Sequence, residues 1–381
     1  MLSTAAFAGS AERRASLPPM FRAPLLPRTL EAALRDLGAA RPAVRAEAVH
    51  DLARHESSAR ERVIGGLTKA LGDEHADVRA AAATALADIG GVEAITELLA
   101  AVDDKSTLAA QMAIRAIGEI ADAGDPRVTA RLEAALADAR AEVRFQAVIA
   151  YPRVAATRAD AVNAIVQATR DDDALVCHIA LRMAEELADE GEGEGATKCD
   201  VDERVMMRAK ALIGHASPEV RVASAILLAP RGDKAAREVL VRVSRGDTKT
   251  REREDEAAAI ELMGRLTIRG AIPGLEKRAF GGLLGLRRDP FAWHARVALA
   301  RMGHERAERE ILRELASRDR DLRTLAVAAA GRARLLAARE PIAAMKGDER
   351  RADPDAVDEA LAALAAAARE TGAPEAAPPR A

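Results

Sequence analysis

One short helical pattern recurs along the chain and constrains its fold more than any other feature. The stretch ADVRAAAATALADIGG at 76–91 has an apolar residue at Val78, a small residue four positions later and an apolar residue eight positions later. A single helix this rich in alanine buries too little apolar surface to offset the conformational entropy lost on ordering it. The pattern therefore predicts a helix that is stable only when it packs against copies of itself.

Ten copies of this pattern occur, and seven of the nine intervals between them measure 31 to 34 residues. A second amphipathic segment precedes each copy, for example VEAITELLAAV at 92–102. Repetition at such a period is typical of arrays in which each helical hairpin packs on its neighbours. The first apolar position of each copy, termed the anchor, is Val44, Val78, Ala109, Val143, Val176, Val220, Glu254, Phe291, Leu322 or Ala356.

The combination of an Asp-rich turn, Val-Arg and then spaced Ala and Leu resembles the HEAT repeats, in particular the bacterial form named after phycobilisome lyase subunits. The resemblance covers about residues 28–370. It implies an all-α fold, an α-solenoid of about ten HEAT-like hairpins in a right-handed superhelix, with the second helices on the concave side. Alanine at the inner positions would let neighbouring helices approach closely.

Both ends and one interval depart from the repeat. Residues 1–27 and 373–381 are proline-rich and predicted to be disordered, which leaves 28–372 for the solenoid. The interval of 44 residues contains a Gly- and acid-rich stretch at 189–203, predicted to be a flexible acidic insertion. A tolerated surface loop explains it more simply than a docking or metal-binding loop. A helix over 353–372 is predicted to close the array with a polar outer face.

Composition narrows the class of protein. The formal net charge is −3 and only 2% of residues are aromatic, so small side chains must fill the interior and no overall charge favours nucleic acid or membranes. Two cysteines suggest no disulfide framework. Neither a secretion signal nor a run of eighteen apolar residues is present. We therefore expect a cytoplasmic protein, and the strong preference for Arg over Lys is typical of a GC-rich, bacterial source.

An arginine follows the anchor in five copies: Arg45, Arg79, Arg144, Arg221 and Arg323. These side chains could form a phosphate-binding stripe, but in HEAT arrays this arginine typically reaches an aspartate of a neighbouring turn. We therefore predict a structural ladder of ion pairs. Its expected acceptors are Asp73, Asp77, Asp104, Asp138 and Asp319, and looser stacking is expected where the arginine is missing, at Ala110, Cys177, Asp255 and Ala292.

The repeat positions themselves bear on an enzymatic interpretation. HEAT-like deoxyhypusine hydroxylases bind di-iron through His-Glu pairs two and three residues after the anchor, and none of the ten copies has such a pair. The dipeptides His55-Glu56 and His304-Glu305 fall at predicted turns. Phosphate loops, Gly-x-Gly-x-x-Gly and nucleophile elbows are absent from the sequence. We therefore predict no catalytic residue, no metal and no cofactor.

Differences between the copies predict which surface of the protein binds a partner. If positions four, eight and eleven after the anchor face the core, positions two, six and nine face the concave surface. On this register Ala82 is a core contact and Ala80 is exposed. In copies four to eight, the concave positions would form an apolar groove with polar edges, including Glu185 and Glu256. The predicted partner-binding residues are Phe145, Ile149, His178, Arg182, Val222, Ile226, Ile260, Met263, Trp293 and Val297.

The predicted function is that of a non-catalytic scaffold or adaptor that holds a partner protein, as a helix or an extended peptide, in this concave groove of copies four to eight. The segment at 279–293 is expected to cap the groove or touch the partner. One alternative is nucleic-acid backbone binding by the C-terminal copies, since residues 281–351 contain 16 Arg or Lys and 10 Asp or Glu. The other is an enzyme subunit related to the lyases or hydroxylases. The oligomeric state and the partner stay open.

Overall fold

A computed structural model describes residues 27–189, 201–281 and 289–371. Within these ranges the chain forms twenty α-helices and no strand, which confirms the all-α prediction. The helices pair into ten hairpins, each made of a first and a second helix. Of the predicted irregular segments, 1–26, 190–200, 282–288 and 372–381 lie outside the described residues.

The helices follow the predicted copies in order. The first five hairpins consist of α1 (Leu30–Asp36) and α2 (Pro42–Ala53), α3 (Glu56–Ala70) and α4 (Ala76–Asp88), α5 (Ile95–Ala101) and α6 (Thr107–Ile120), α7 (Pro126–Ala135) and α8 (Ala141–Val154), and α9 (Arg158–Ala168) and α10 (Ala174–Asp189). The next five consist of α11 (Glu203–Leu212) and α12 (Pro218–Leu228), α13 (Lys234–Arg245) and α14 (Arg253–Arg265), α15 (Ile272–Phe280) and α16 (Ala292–Arg301), α17 (Glu305–Leu315) and α18 (Arg320–Ala333), and α19 (Arg339–Ala343) and α20 (Pro354–Thr371).

Helix boundaries follow local chemistry. Proline occupies the first position of α2, α7 and α12, where its missing N–H would have had no helical partner. The side chains of Asp125 and Asp233 accept hydrogen bonds from the first-turn amides of α7 and α13. Helix α13 stops at Gly246, whose φ of 79° lies in the left-handed region. The closing helix α20 confirms the prediction, with Asp358 and Glu359 exposed.

The chain divides into two compact units, with the boundary between Ala116 and Ile117 inside α6. In the first unit α2 packs on α1, α3 and α4. In the second unit the second helices α8, α10, α12, α14, α16, α18 and α20 each contact the next, and each also packs on the first helix of its own hairpin. One continuous apolar core runs between these two layers.

Glycine recurs where two second helices approach most closely. A Cβ added to Gly264 would lie 2.7 Å from the Cα of Ala298, and one added to Gly331 would lie 2.8 Å from the Cα of Ala360. Gly118 stands in the same relation to Ala150. Gly118 and Gly331 are the ninth residue after their anchors, so this position faces the next second helix. The close approach lets small residues exclude water between helices.

The exposed strip of a second helix is therefore narrower than the sequence suggested. Ala82 is buried, as predicted, but the prediction that Ala80 is exposed is wrong, because Ala80 is buried as well. A second helix packs on its own first helix and on second helices at either side. Positions two and nine after the anchor turn toward these neighbours, and the more exposed positions are about three, six and ten. The exceptions are positions three and six of α12 and position six of α16, which are buried.

The arginine ladder is confirmed at three rungs. Arg79 donates from Nε and Nη2 to the carboxylate of Asp104, at 2.5 and 2.7 Å, and from Nη1 to the carbonyl of Asp73 in its own turn, at 2.8 Å. Arg45 binds Asp73 in the same bidentate way. Each such guanidinium joins the turn of one hairpin to the turn of the next.

At the third rung the observed acceptor is not the predicted one, and the remaining predicted acceptors do not take part in the ladder. Arg144 pairs at 2.7 Å with Asp171, which was not among the predicted acceptors. Asp138 instead pairs with Arg140. Asp319 caps α18, and Asp77 lies on the exposed first turn of α4, so neither serves as a ladder acceptor.

Arginines from first helices fill two of the missing rungs. Where Cys177 replaces the ladder arginine, Arg208 of α11 donates to the carbonyl and hydroxyl oxygens of Thr169. Where the sequence pattern predicted the arginine at Asp255, Arg278 of α15 donates to the carbonyls of Ser244 and Val243, at 2.8 Å each. The carbonyls at the C-terminal ends of α9 and α13 are therefore satisfied from the next hairpin.

Candidate functional site

The exposed side of the second helices in the second unit, called the second-helix face, forms the candidate site. Its residues lie about three, six and ten positions after each anchor, so each consecutive turn of a second helix contributes one residue to the face. Its members on α10, α14, α16 and α18 are Ile179, Arg182, Glu186, Ala258, Glu261, Arg265, His294, Arg301, Leu325 and Arg332, together with the half-buried Trp293.

Four of the ten predicted partner-binding residues have side chains that reach the surface. Phe145, Ile149, Arg182 and Trp293 are half-buried, and the two from α8 pack at the edge of the core. The other six are buried, so they expose little surface, although three of them line cavities. They are His178, Val222, Ile226, Ile260, Met263 and Val297.

Two physical reasons account for four of these six positions. His178 and Val222 are second after their anchors, where the side chain turns toward neighbouring second helices. In α14 the sequence pattern was read one residue early, because buried Asp255, and not Glu254, occupies the anchor position. Ile260 and Met263 consequently rotate into the core, and Glu261 takes the outward place.

The first polar feature of the face joins α10 to α14 across α12. His178 and Asp255 are 7% and 2% exposed, and Nε2 of His178 lies 2.7 Å from Oδ2 of Asp255. The two atoms are not aligned for a hydrogen bond and have no other partner among the described residues. Arg182 lies 3.6 Å from Asp255 and 2.6 Å from Glu185. A cavity of about 760 Å³ opens beside these residues.

The second polar feature spans α14, α16 and α18. Glu261 accepts from Nδ1 of His294 at 3.0 Å and from Arg332 at 2.9 Å. The hydrogen bond from His294, helped by the charge of Arg332, lowers the pKa of Glu261. The guanidinium of Arg332 also lies 5.4 Å from the ring centre of Trp293. This network fixes the single tryptophan of the chain at the surface, next to Leu325, which is 52% exposed.

Apolar residues form the floor between the two features. Ile226 and Val297 line a cavity of about 400 Å³ with Arg265, Arg301 and Arg332. Burial lowers the pKa of Arg301, and the positive charges of Arg334 and Arg265 lower it further. Two predicted groove residues thus lie beneath charged side chains and contribute packing to the face rather than contact area.

Glu256, predicted as a polar edge of the groove, is a structural residue. It is buried and lies 2.5 Å from Nη2 of Arg278, which is also buried and stacks over the ring of Phe291. A buried pair of this kind keeps its hydrogen-bonding groups satisfied inside the fold. In the sequence, the missing ladder arginine at Asp255 indicated that this copy is unusual. The arginine that compensates, Arg278, lies on another helix, so the sequence alone could not pair it with Glu256.

Several of the C-terminal arginines pair with acids of their own surface. Arg296 lies 2.5 Å from Glu314, Arg306 lies 3.2 Å from Glu310, and Arg334 pairs with Glu370. Such pairing lowers the positive potential available to a phosphate backbone. The structure therefore gives no specific support to the nucleic-acid alternative.

No helix of the described chain is long and apolar enough to span a bilayer. Among the same residues, no group of three or more histidine, cysteine, aspartate or glutamate side chains is arranged to hold a metal ion.

Comparison with known proteins supports the repeat assignment. A family model of HEAT repeats matches residues 27–118 and, overlapping, 64–152. Residues 27–152 of this chain of stacked helical hairpins are therefore similar to HEAT repeats. A search of curated protein sequences gave no match.

Solved structures with a similar arrangement of helices share little sequence. An engineered protein is 18% identical over 88% of this chain and 98% of its own, with a TM-score of 0.38. The complex of CpcE and CpcF of phycocyanin lyase from Nostoc sp. is 18% identical over 71% of this chain and 98% of its own, with a TM-score of 0.38. Importin beta is 15% identical over 90% of this chain and 47% of its own, with a TM-score of 0.39. These similarities concern the fold alone.

Proposed function

We propose that the protein is a non-catalytic scaffold that binds a partner protein on the second-helix face of its second unit. The observation that carries the proposal is the Trp293 network. An aromatic ring stays half-exposed, held by Arg332 and by a hydrogen bond from its Nε1 to the carbonyl of Leu325, at 3.4 Å. Tryptophan and arginine are the residue types that most often dominate binding energy at protein interfaces.

Preorganisation supports the same proposal. Because Glu261 is shared by α14, α16 and α18 through His294 and Arg332, the side chains of three hairpins are ordered before any partner arrives. Side chains that are already ordered lose less conformational entropy on binding. Exposed Leu325 beside the ring adds apolar area that no residue of the described chain covers fully.

The test compares two exposed apolar residues of the same unit. Leu325 lies on a second helix and is 52% exposed, whereas Met207 lies on first helix α11 and is 60% exposed. A photo-crosslinking phenylalanine analogue at position 325 should trap a defined protein in lysate of the native organism, and the analogue at position 207 should not. Equal trapping at both positions, or none at 325, would remove the second-helix face from the function.

A further inference from the structure

The cavity beside α10 and α14 carries negative charge that the fold leaves unbalanced. Five of its nine lining residues are acidic, against one arginine, Arg182, and one histidine, His178. The acidic residues are Glu185, Glu186, Glu252, Glu254 and Asp255. Low-dielectric walls strengthen the field of charges that line a concave site, so a cation is attracted to it.

Only part of this charge is offset within the chain. Arg182 is held between Glu185 and Asp255, at 2.6 and 3.6 Å. Glu186 has Arg153 at 4.0 Å, and both side chains are about half exposed. Glu252 and Glu254 are exposed and form no ion pair in the part of the chain that the structure describes. At least two carboxylates at the mouth of the cavity are therefore available to a ligand.

Asp255 is an independent sign of a site. It sits 2% exposed at an anchor position where other copies have an apolar residue, and its Oδ2 atom lacks a well-aligned hydrogen bond although Nε2 of His178 is 2.7 Å away. Burying a carboxylate without good partners costs free energy. A cation in the adjacent cavity would stabilise that charge, so the residue is explained by a ligand better than by packing.

We infer that this cavity receives arginine or lysine side chains from an extended basic segment of the partner protein. The inference rests on the proposed function and names the chemistry of its partner. A volume of about 760 Å³ is sufficient for such side chains. Carboxylates at the rim supply the acceptors that a guanidinium binds in pairs.

The test uses a defined probe, a fluorescein-labelled hexa-arginine amide, and its fluorescence anisotropy with the full chain at about 0.05 M salt, where exposed charges are little screened. The variant Glu252→Gln with Glu254→Gln should bind about tenfold more weakly, since it removes two charge-assisted contacts. A matched control removes two exposed acids from first helices of the other unit, Glu61→Gln with Glu97→Gln, and should bind like the wild type.

A third variant changes affinity in the opposite direction. Arg182→Gln removes the cation that competes for Glu185 and Asp255, so hexa-arginine should bind about threefold more tightly. Equal binding to the rim variant and the control, or no binding to the wild type, would overturn the inference. Because this probe needs no native partner, that failure would leave crosslinking at position 325 unaffected. Loss of crosslinking with retained hexa-arginine binding would identify the proposed function as the part that fails.

Discussion

Gly264 lies against the backbone of Ala298 so closely that an added Cβ would meet the Cα of Ala298 at 2.7 Å. Gly264→Ala should destabilise the protein by about 1–2 kcal/mol, because overpacking against backbone outweighs the gain in helix propensity. Gly65 is a matched control, since it lies within α3 with no atom near its Cβ position. Gly65→Ala should raise stability by up to about 1 kcal/mol. Chemical denaturation measures both, and equal signs would contradict the close approach.

Arg79 bridges two turns and should be far more important for folding than an exposed arginine. Arg79→Ala removes the guanidinium from the carboxylate of Asp104 and from the carbonyl of Asp73, which should cost about 3 kcal/mol. Arg62→Ala removes an exposed arginine that pairs with Glu31 at 3.3 Å and should change stability by less than about 0.5 kcal/mol. Urea denaturation of the two variants separates the roles, and similar midpoints would count against the ladder.

The same rung predicts a dependence of stability on pH. The hydrogen bond from Arg79 lowers the pKa of Asp104, so its folded pKa lies below the unfolded value of about 3.9. This contribution is complete above the unfolded pKa and is lost as the pH falls through the folded pKa. Wild type and Asp104→Asn should therefore differ most at neutral pH and converge as the pH falls from about 4 toward 2.

Asp77→Asn provides the reference for this measurement. Asp77 lies exposed on the first turn of α4, outside the ladder. Its variant should follow the wild type across the whole pH series. A constant gap between wild type and Asp104→Asn down to about pH 2 would mean that the Arg79 rung does not act through the charge of Asp104.

Trp293→Ala tests the second-helix face by affinity. The ring is half-buried and stacks near Arg332, so its removal should weaken partner binding by about 2 kcal/mol or more while the chain stays folded. The Met207→Ala variant removes an apolar side chain that is more exposed but lies on a first helix. It should bind as the wild type does. Partner titration together with thermal melting distinguishes lost contact from lost folding.

Repeat architecture predicts tolerance to the removal of a whole hairpin. Deleting 305–338, which contains α17 and α18, removes 34 residues and joins the end of α16 to the start of α19. Stability in such arrays is a sum of neighbour interactions, so the product should be a shorter folded helical protein. Circular dichroism in the far ultraviolet checks this, with deletion of 305–321, half a repeat, as a control that cuts out of phase and should unfold the C-terminal hairpins.

The periodicity of the sequence was sufficient to locate the hairpins, but it was not sufficient to assign which side of each helix faces the core. Copies with Val-Arg at the anchor, such as those at Val78 and Val143, were placed correctly, because an apolar anchor and its ladder arginine fix the register together. In α14 the anchor is the charged Asp255, and nothing local showed that a carboxylate would be buried there. The position of Ile260 and Met263 was wrong for that reason.

Contacts between helices that are distant in the sequence could not be predicted either. The pairing of His178 with Asp255 spans 77 positions, and Arg332 reaches Glu261 across 71. Neither follows from the 34-residue period, which relates each hairpin only to the next. The glycines could have indicated the orientation of the helices. Gly118 and Gly331 share one repeat position and mark the side of the helix that turns toward the neighbouring helix.

The ladder also distributes mechanical load. Arg45, Arg79 and Arg144 each tie their own turn to an acidic residue of the next, so a pull along the stack is carried by side chains as well as by the chain. Arg221 donates only to the carbonyls of His215 and Ala216, both in its own turn, among the bonds that the structure describes. At this junction, between α12 and α14, Glu219 accepts a hydrogen bond from the backbone N–H of Arg251 at 3.2 Å, so a backbone donor takes the place of the guanidinium that carries the load elsewhere.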